Sequence, residues 1–205
     1  MRVDMFTTEN NDWGKLATAA RRAEAIGYDG FAIPEITADP LLNAAIVTQA
    51  TERIQARTGI AVAFPRSPMV VAEQAWAIQR NSGGRFALGL GTQVKAHNER
   101  RFSTPYGKPR SRIVEYVEAL RAIWRCWELG ERLDYRGEHY QFTLMTPEFT
   151  PPKSNLPMVP VYLAAVRPRT LESAAAVADG LRLHAFCTTR YFNEVVKPAI
   201  DRGLE

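Results

Sequence analysis

Six short apolar segments recur along the chain at nearly equal intervals, and this spacing limits the fold more than any other feature. The segments are 2–6, 30–34, 57–64, 85–91, 160–164 and 180–186, each rich in the residue types that form buried strands. The first four begin at residues 2, 30, 57 and 85, so the steps are 28, 27 and 28 residues, the length of one strand-helix unit. Helical patterns fill the intervals. Leu16, Ala20 and Ala23 recur at helical spacing after Trp13, and Gly27 supplies a stop. Asp39-Pro40 pairs a carboxylate N-cap with proline at the first helical position, ahead of LLNAAIVTQATERI. A third helix is expected from Pro68 to Ser82-Gly83-Gly84. Ile113, Val117, Leu120, Trp124 and Trp127 then mark the buried stripe of a long fourth one.

Alternation of this kind gives a parallel sheet with right-handed crossovers, either a doubly wound open sheet or a TIM barrel. Gly89-Leu90-Gly91 has no third glycine at the dinucleotide offset and follows the fourth strand, not the first, so a Rossmann site is not expected. No phosphate-binding loop of the G-x-x-x-x-G-K-[ST] type occurs. Between the long helix and the fifth strand, residues 129–159 break the period. Tyr135-Arg136-Gly137-Glu138 and HYQF read as a small hairpin, followed by a proline-rich loop, and the segment is expected as an insertion over one end of the sheet within a single domain spanning 1–205.

The 26 basic residues against 22 acidic ones give a net charge of +4, but Lys and Arg are spread along the whole sequence. Such a balance suits a solvated surface or an anionic small molecule, and nucleic acid is not an expected partner. The two cysteines, Cys126 and Cys187, form no C-x-x-C pair, which removes the zinc-ribbon and disulfide-scaffold readings and leaves a reducing, cytoplasmic setting as the expectation. No metal site is expected. The apolar run at the N-terminus is shorter than a signal peptide requires, and no segment approaches a membrane span.

SGGRFALGLGT at 82–92, preceded by Pro65-Arg66-Ser67-Pro68 and Glu73-Gln74-Ala75, resembles the luciferase-like monooxygenase superfamily, in particular its coenzyme F420-dependent oxidoreductases. GYDGFAIPE at 27–35, TERIQARTGIAVAFPRSP at 51–68, VPVYLAA at 159–165 and ADGLRLHAFCTTRYF at 178–192 extend the match in order along the chain. The resemblance implies a TIM (β/α)8-type barrel with its site at the C-terminal ends of the strands. The chain supplies about six of those units, so an incomplete or truncated barrel is expected.

The same resemblance implies the site. A non-proline cis peptide is expected at Gly59-Ile60, behind the ring of a flavin or deazaflavin. Gly91, Thr92 and Asn98 after the fourth strand, and Ala164, Ala165, Val166 and Arg167 after the fifth, are implied to hold the cofactor. The helix start after Arg167 would serve its phosphate. Glu35 and His97 are the catalytic candidates. Glu35 stands where related dehydrogenases carry an acid beside a histidine, although the next residue here is Ile36. Asp39 reads as an N-cap before a substrate group, and His184 reads either as a group at the barrel mouth or as a satisfied core residue within the sixth strand. The implied activity is hydride transfer between coenzyme F420 and an organic small-molecule substrate. The alternatives are an FMN monooxygenase served by a reductase, a non-catalytic flavin-binding protein, and an inactive fragment. A homo-oligomer is implied as well.

Overall fold

The computed structural model describes residues 3–9 and 11–205; Arg2, the expected start of the first strand, lies outside them. The elements alternate as expected: β1 (Asp4–Phe6), α1 (Trp13–Ile26), β2 (Gly30–Ile33), α2 (Pro40–Ala50), β3 (Gln55–Thr58), β4 (Ala61–Val62), α3 (Pro68–Asn81), β5 (Phe86–Gly91) and α4 (Pro109–Leu129). A two-stranded hairpin of β6 (Tyr135–Arg136) and β7 (Gln141–Phe142) precedes β8 (Val161–Ala164), α5 (Pro168–Val177), β9 (Gly180–Arg182), α6 (Thr189–Tyr191) and α7 (Lys197–Leu204). The main sheet is parallel with order β1-β2-β3-β5-β8-β9, and β4 continues the place of β3 beside β5. Sequential order is that of a barrel, not of a doubly wound sheet.

The helix boundaries follow local chemistry. Asp12 accepts the Lys15 N–H and opens α1, which Gly27 closes in the left-handed region at φ +100°. Asp39 accepts from Leu41 N and Leu42 N and so caps α2, with Pro40 in its first turn, as its sequence predicts. The Trp124 and Trp127 side chains are buried on α4, and Trp127 meets Trp76 of α3 edge to face at 5.6 Å. These helices cover the outer face of the sheet, where Phe31, Ile33, Phe86, Leu88, Leu90, Val161 and Leu163 join one core. The segment after α4 follows that helix. Its hairpin is bound through Glu115, whose carboxylate accepts from Glu138 N, His139 N and Tyr140 N, and its loop returns to Glu128, which accepts from Ser154 N and Asn155 N.

The inner face has a different composition. Register places Gly30, Ala32, Ala87, Gly89, Gly91, Ala164 and Gly180 there, small residues where a barrel interior is usually filled by branched ones, with Tyr162 between Gly89 and Gly180. Into that space reach Asp4, Arg57 and Arg182. Asp4 Oδ2 lies 2.8 Å from Arg57 and 3.6 Å from Arg182. Strands five places apart in a flat sheet would be about 24 Å distant, so the contact between β1 and β9 requires that the sheet curl into part of a barrel. The sixth strand is shorter than expected: β9 stops at Arg182, level with the end of its neighbour β8, and His184 and Phe186 lie beyond it in a loop.

Candidate cofactor and active site

The third strand is where the sequence expectation needs most revision, since 57–64 is not continuous. Arg57 faces Ala87 and Ala61 faces Leu90, so three residues, Thr58 to Ile60, stand opposite two, Leu88 and Gly89. The extra residue makes a bulge, the usual way a strand re-aims its backbone beside a site. The Gly59-Ile60 peptide within it is cis, as the resemblance implies. The ladder interrupted by the bulge is repaired by a side chain: the buried Thr58 hydroxyl donates to Gly89 O at 2.7 Å and accepts from Gly89 N at 2.8 Å. Residue 89 must be glycine, because a Cβ there would collide with the Thr58 carbonyl. Ile60 reaches across to Gly91, where a Cβ would come within 2.8 Å of its terminal methyl.

Glu35 holds this bulge from just beyond the end of β2. Its N–H donates to Ile60 O at 3.2 Å, and its carboxylate accepts from Val62 N at 2.7 Å. Arg66 completes the arrangement with bonds of 2.9 and 3.0 Å to the two Glu35 oxygens and 2.7 Å to Asp39. The Glu35 side chain is only 5% exposed, so both its oxygens are committed to a charge-assisted network. Burial pushes the Asp39 pKa up, but the Arg66 guanidinium and the N–H groups of Leu42 and Leu41 outweigh it and leave the carboxyl below its ordinary value. Asp39 is therefore both cap and ion-pair partner. The role of Arg66 is not legible in its motif, because Pro-Arg-Ser-Pro spacing carries no sign that the guanidinium folds back four residues to Val62 O.

After β5 the chain turns through Gln93, which has φ +54°, into a π-helical turn at His97–Arg101. Asn98 is fully buried and holds the turn, its Nδ2 donating to Thr92 O at 2.8 Å and Val94 O at 3.1 Å. His97 is exposed and lines no cavity described here. A cavity of about 510 Å³ lies between this turn and the start of α5. Thr92, Ala164, Ala165, Val166 and Arg167 line it, so two sets of residues distant in sequence are brought to one groove. Lys95 and Arg110 add two cations that sequence reading did not single out, since neither sits at a strand end. The α5 helix starts with no side-chain cap, leaving the positive end of its dipole to the groove. Gly59 and Ile60 are on the other side of Gly91. Of the expected site residues Thr92 and 164–167 line the groove, whereas Asn98 is buried beneath the turn it braces, Glu35 lies behind the bulge and His97 is exposed outside.

An uncharacterized protein of Mycobacterium tuberculosis is 44% identical over 194 residues, covering 95% of this chain and 57% of that protein. The F420-dependent glucose-6-phosphate dehydrogenase of Kineococcus radiotolerans is 30% identical over 203 residues, covering 94% of this chain and 58% of that protein. The chain thus spans less than two thirds of the length of these relatives. Among solved structures, an F420-dependent secondary alcohol dehydrogenase in complex with an F420-acetone adduct superposes with a TM-score of 0.82 at 19% identity, over 98% of this chain and 63% of that one. The oxygenating constituent of 3,6-diketocamphane monooxygenase from Pseudomonas putida, in complex with FMN, gives 0.65 at 12% identity over 100% and 64%. At these identities the structures share a fold with the chain, a barrel of which it forms about six units. The pattern of the luciferase-like monooxygenases matches residues 1–204, and the chain belongs to that family.

Proposed function

We propose that the protein is a coenzyme F420-dependent oxidoreductase that moves a hydride between the deazaflavin and a small organic substrate. The groove with Lys95, Arg110 and Arg167 is the observation that carries this reading. One phosphate monoester, as in FMN, needs one or two donors at a helix start. Three cations spread along a groove suit a longer tail whose negative charges are distributed over several groups. The small residues Ala164 and Ala165 allow close approach, and the uncapped start of α5 supplies dipole and N–H groups. On this reading the bulge at Gly59-Ile60 is the back of the ring seat.

F420 would supply the hydride chemistry itself. The chain's own residues bind and orient. Glu35 acts here through the bulge, as a positioning group whose carboxylate is held by Arg66, and no proton step is assigned to it. His97, exposed on its turn, receives no role in the chemistry. Exposed Trp13 and Ile26 on α1 support a homo-oligomer. The two free cysteines support a reducing compartment. No helix among the described residues is long and apolar enough to cross a membrane.

Fluorescence titration with F420, using FMN as the competing ligand, tests the reading. Arg167→Glu is expected to weaken F420 binding about tenfold or more at low salt, with a smaller loss at high salt. Unchanged affinity would remove Arg167 from the site. Tight FMN binding without F420 binding would replace the deazaflavin by a flavin.

A further inference from the structure

The floor of the mouth holds a cation with no hydrogen bond of its own. Arg182 is the last residue of β9, level with Ala164 of the groove, and its side chain crosses the inner face of the sheet. Its Cδ lies 3.3 Å from the place a Cβ on Gly89 would take and its Nη2 lies 3.2 Å from that of Gly59, so the two glycines leave the room it occupies. The guanidinium therefore rests against the bulge. Its one counter-charge is shared: Nη1 stands 3.6 Å from Asp4 Oδ2, an oxygen that already accepts from Arg57 Nη1 at 2.8 Å. Arg57 also donates to Gln55, whereas Arg182 makes no hydrogen bond among the described residues. From β2, β5 and β8 the neighbours on this face are Gly30, Ala32, Gly89, Tyr162 and Ala164, with no carboxylate and no further cation. Glu35 and Arg66, behind the bulge, are paired with each other. Two guanidinium groups against one carboxylate leave the floor positively charged.

From this placement we infer that Arg182 is a specificity-determining residue that favours a ring carrying negative charge, and so a hydroxylated deazaflavin over a flavin. The inference rests on the reading of the bulge as the ring seat. The two cofactors differ there in a respect that a cation can sense. The phenolic hydroxyl of the deazaflavin is conjugated through the ring to a pyrimidine carbonyl, so it ionises near neutral pH and its charge spreads over the whole ring. Oxidised FMN has no such hydroxyl, and its ring is neutral. A guanidinium below the seat stabilises the ionised deazaflavin and gains little from the flavin. The Arg182 side chain is only 25% exposed, so water and salt screen this charge less than they screen the cations of the groove. Those cations act on the tail, and Arg182 acts on the ring.

The test is an absorbance titration of bound F420 across the neutral pH range, which reads the ionisation of the ring phenol, together with the affinities of F420 and FMN. Binding to the unaltered chain is expected to make the phenol more acidic than in free F420. Arg182→Met should raise the proton affinity of the bound phenol about threefold or more and lower the preference for F420 over FMN by a similar factor, whereas Arg182→Lys should keep most of both. Asp4→Asn removes the counter-charge. It should move the phenol and the preference in the opposite direction, and it decides the matter alone if urea denaturation shows that Arg182→Met does not fold. A role confined to packing would weaken F420 and FMN alike and leave the bound phenol unmoved. That result, or shifts of the same sign in Arg182→Met and Asp4→Asn, overturns the assignment while the F420 reading stands. Absence of F420 binding to the unaltered chain overturns both.

Discussion

The two walls of the mouth are built on opposite principles. The wall formed by β3, β4 and β5 is buried and fully bonded: the Thr58 hydroxyl bridges the bulge, and Glu35, Arg66 and Asp39 lock it from behind. The wall formed by the β8-α5 turn and the loop after β9 is largely open, with Val166 53% and Phe186 86% exposed. Nothing comparable to the Arg66 network stands behind it among the described residues. The contrast teaches which changes act through folding and which through ligand affinity. Substitutions in the first wall should lower stability, because they leave buried polar groups without partners. Substitutions in the second should alter binding at nearly constant stability.

The sharpest way to break this division is Arg66→Met. Removing the guanidinium strands the Glu35 carboxylate in a nearly water-free position, and the expected cost is about 3 kcal/mol or more, read by urea denaturation. Adding Glu35→Gln should return part of that loss, since the stranded charge then disappears. A cost below about 1 kcal/mol would mean that the bulge stands without the ion pair.

Thr58→Val comes next. The shape is kept while Gly89 N and Gly89 O both lose their partner, so about 2 kcal/mol should be lost. Equal stability of the two proteins would show that the strands re-pair directly once the hydroxyl is gone, and the bulge would then not depend on it.

Legibility in the sequence followed the same division. The alternation of strands and helices, the Asp39 cap, the Gly27 stop and the α4 stripe were readable because each depends on neighbours within a few positions. The glycine pattern at Gly89 and Gly91 was visible too, but its meaning was not: one answers the Thr58 carbonyl and the other the Ile60 side chain, contacts from a strand about thirty residues away. The break at Gly59-Ile60 appeared only through resemblance, because an apolar run such as TGIAVAF has no local mark of an extra residue. Lys95 and Arg110 were missed for a similar reason. Charges on a turn and on the first residues of a helix look solvated in sequence, and only the fold brings them to Arg167. His184 reads in sequence as either a mouth or a core residue; β9 ends before it, and the side chain is exposed in the loop beyond.

Asp39→Asn gives a smaller effect with a pH signature. The folded state holds the Asp39 carboxyl below its ordinary pKa of 3.8, so its contribution is present above that value and disappears as pH falls through the folded-state value. Asparagine also caps helices well, and at neutral pH the variant should lose only about 1 kcal/mol, chiefly the charged bond to Arg66. As pH falls from about 4 through the lower folded-state value the two proteins should converge, because the unaltered chain then loses what the variant never had. Parallel stability curves across that range would show that the pair with Arg66 adds nothing.

Arg110→Glu is the smallest expected change in stability and sharpens the comparison from the other wall. Arg110 is exposed on the first turn of α4, where a negative charge also suits the helix dipole, so unfolding free energy should move by no more than about 0.5 kcal/mol. Its effect on a polyanionic ligand should be far larger. The charge reversal removes an attraction in the groove and adds a repulsion, and F420 affinity should fall with a steeper loss at low ionic strength than at high. FMN, with one compact phosphate, should be less sensitive if that phosphate sits at the start of α5, nearer Arg167. Equal losses for both ligands would make Arg110 part of a general positive field, and would leave the selectivity to the ring seat at Gly59-Ile60.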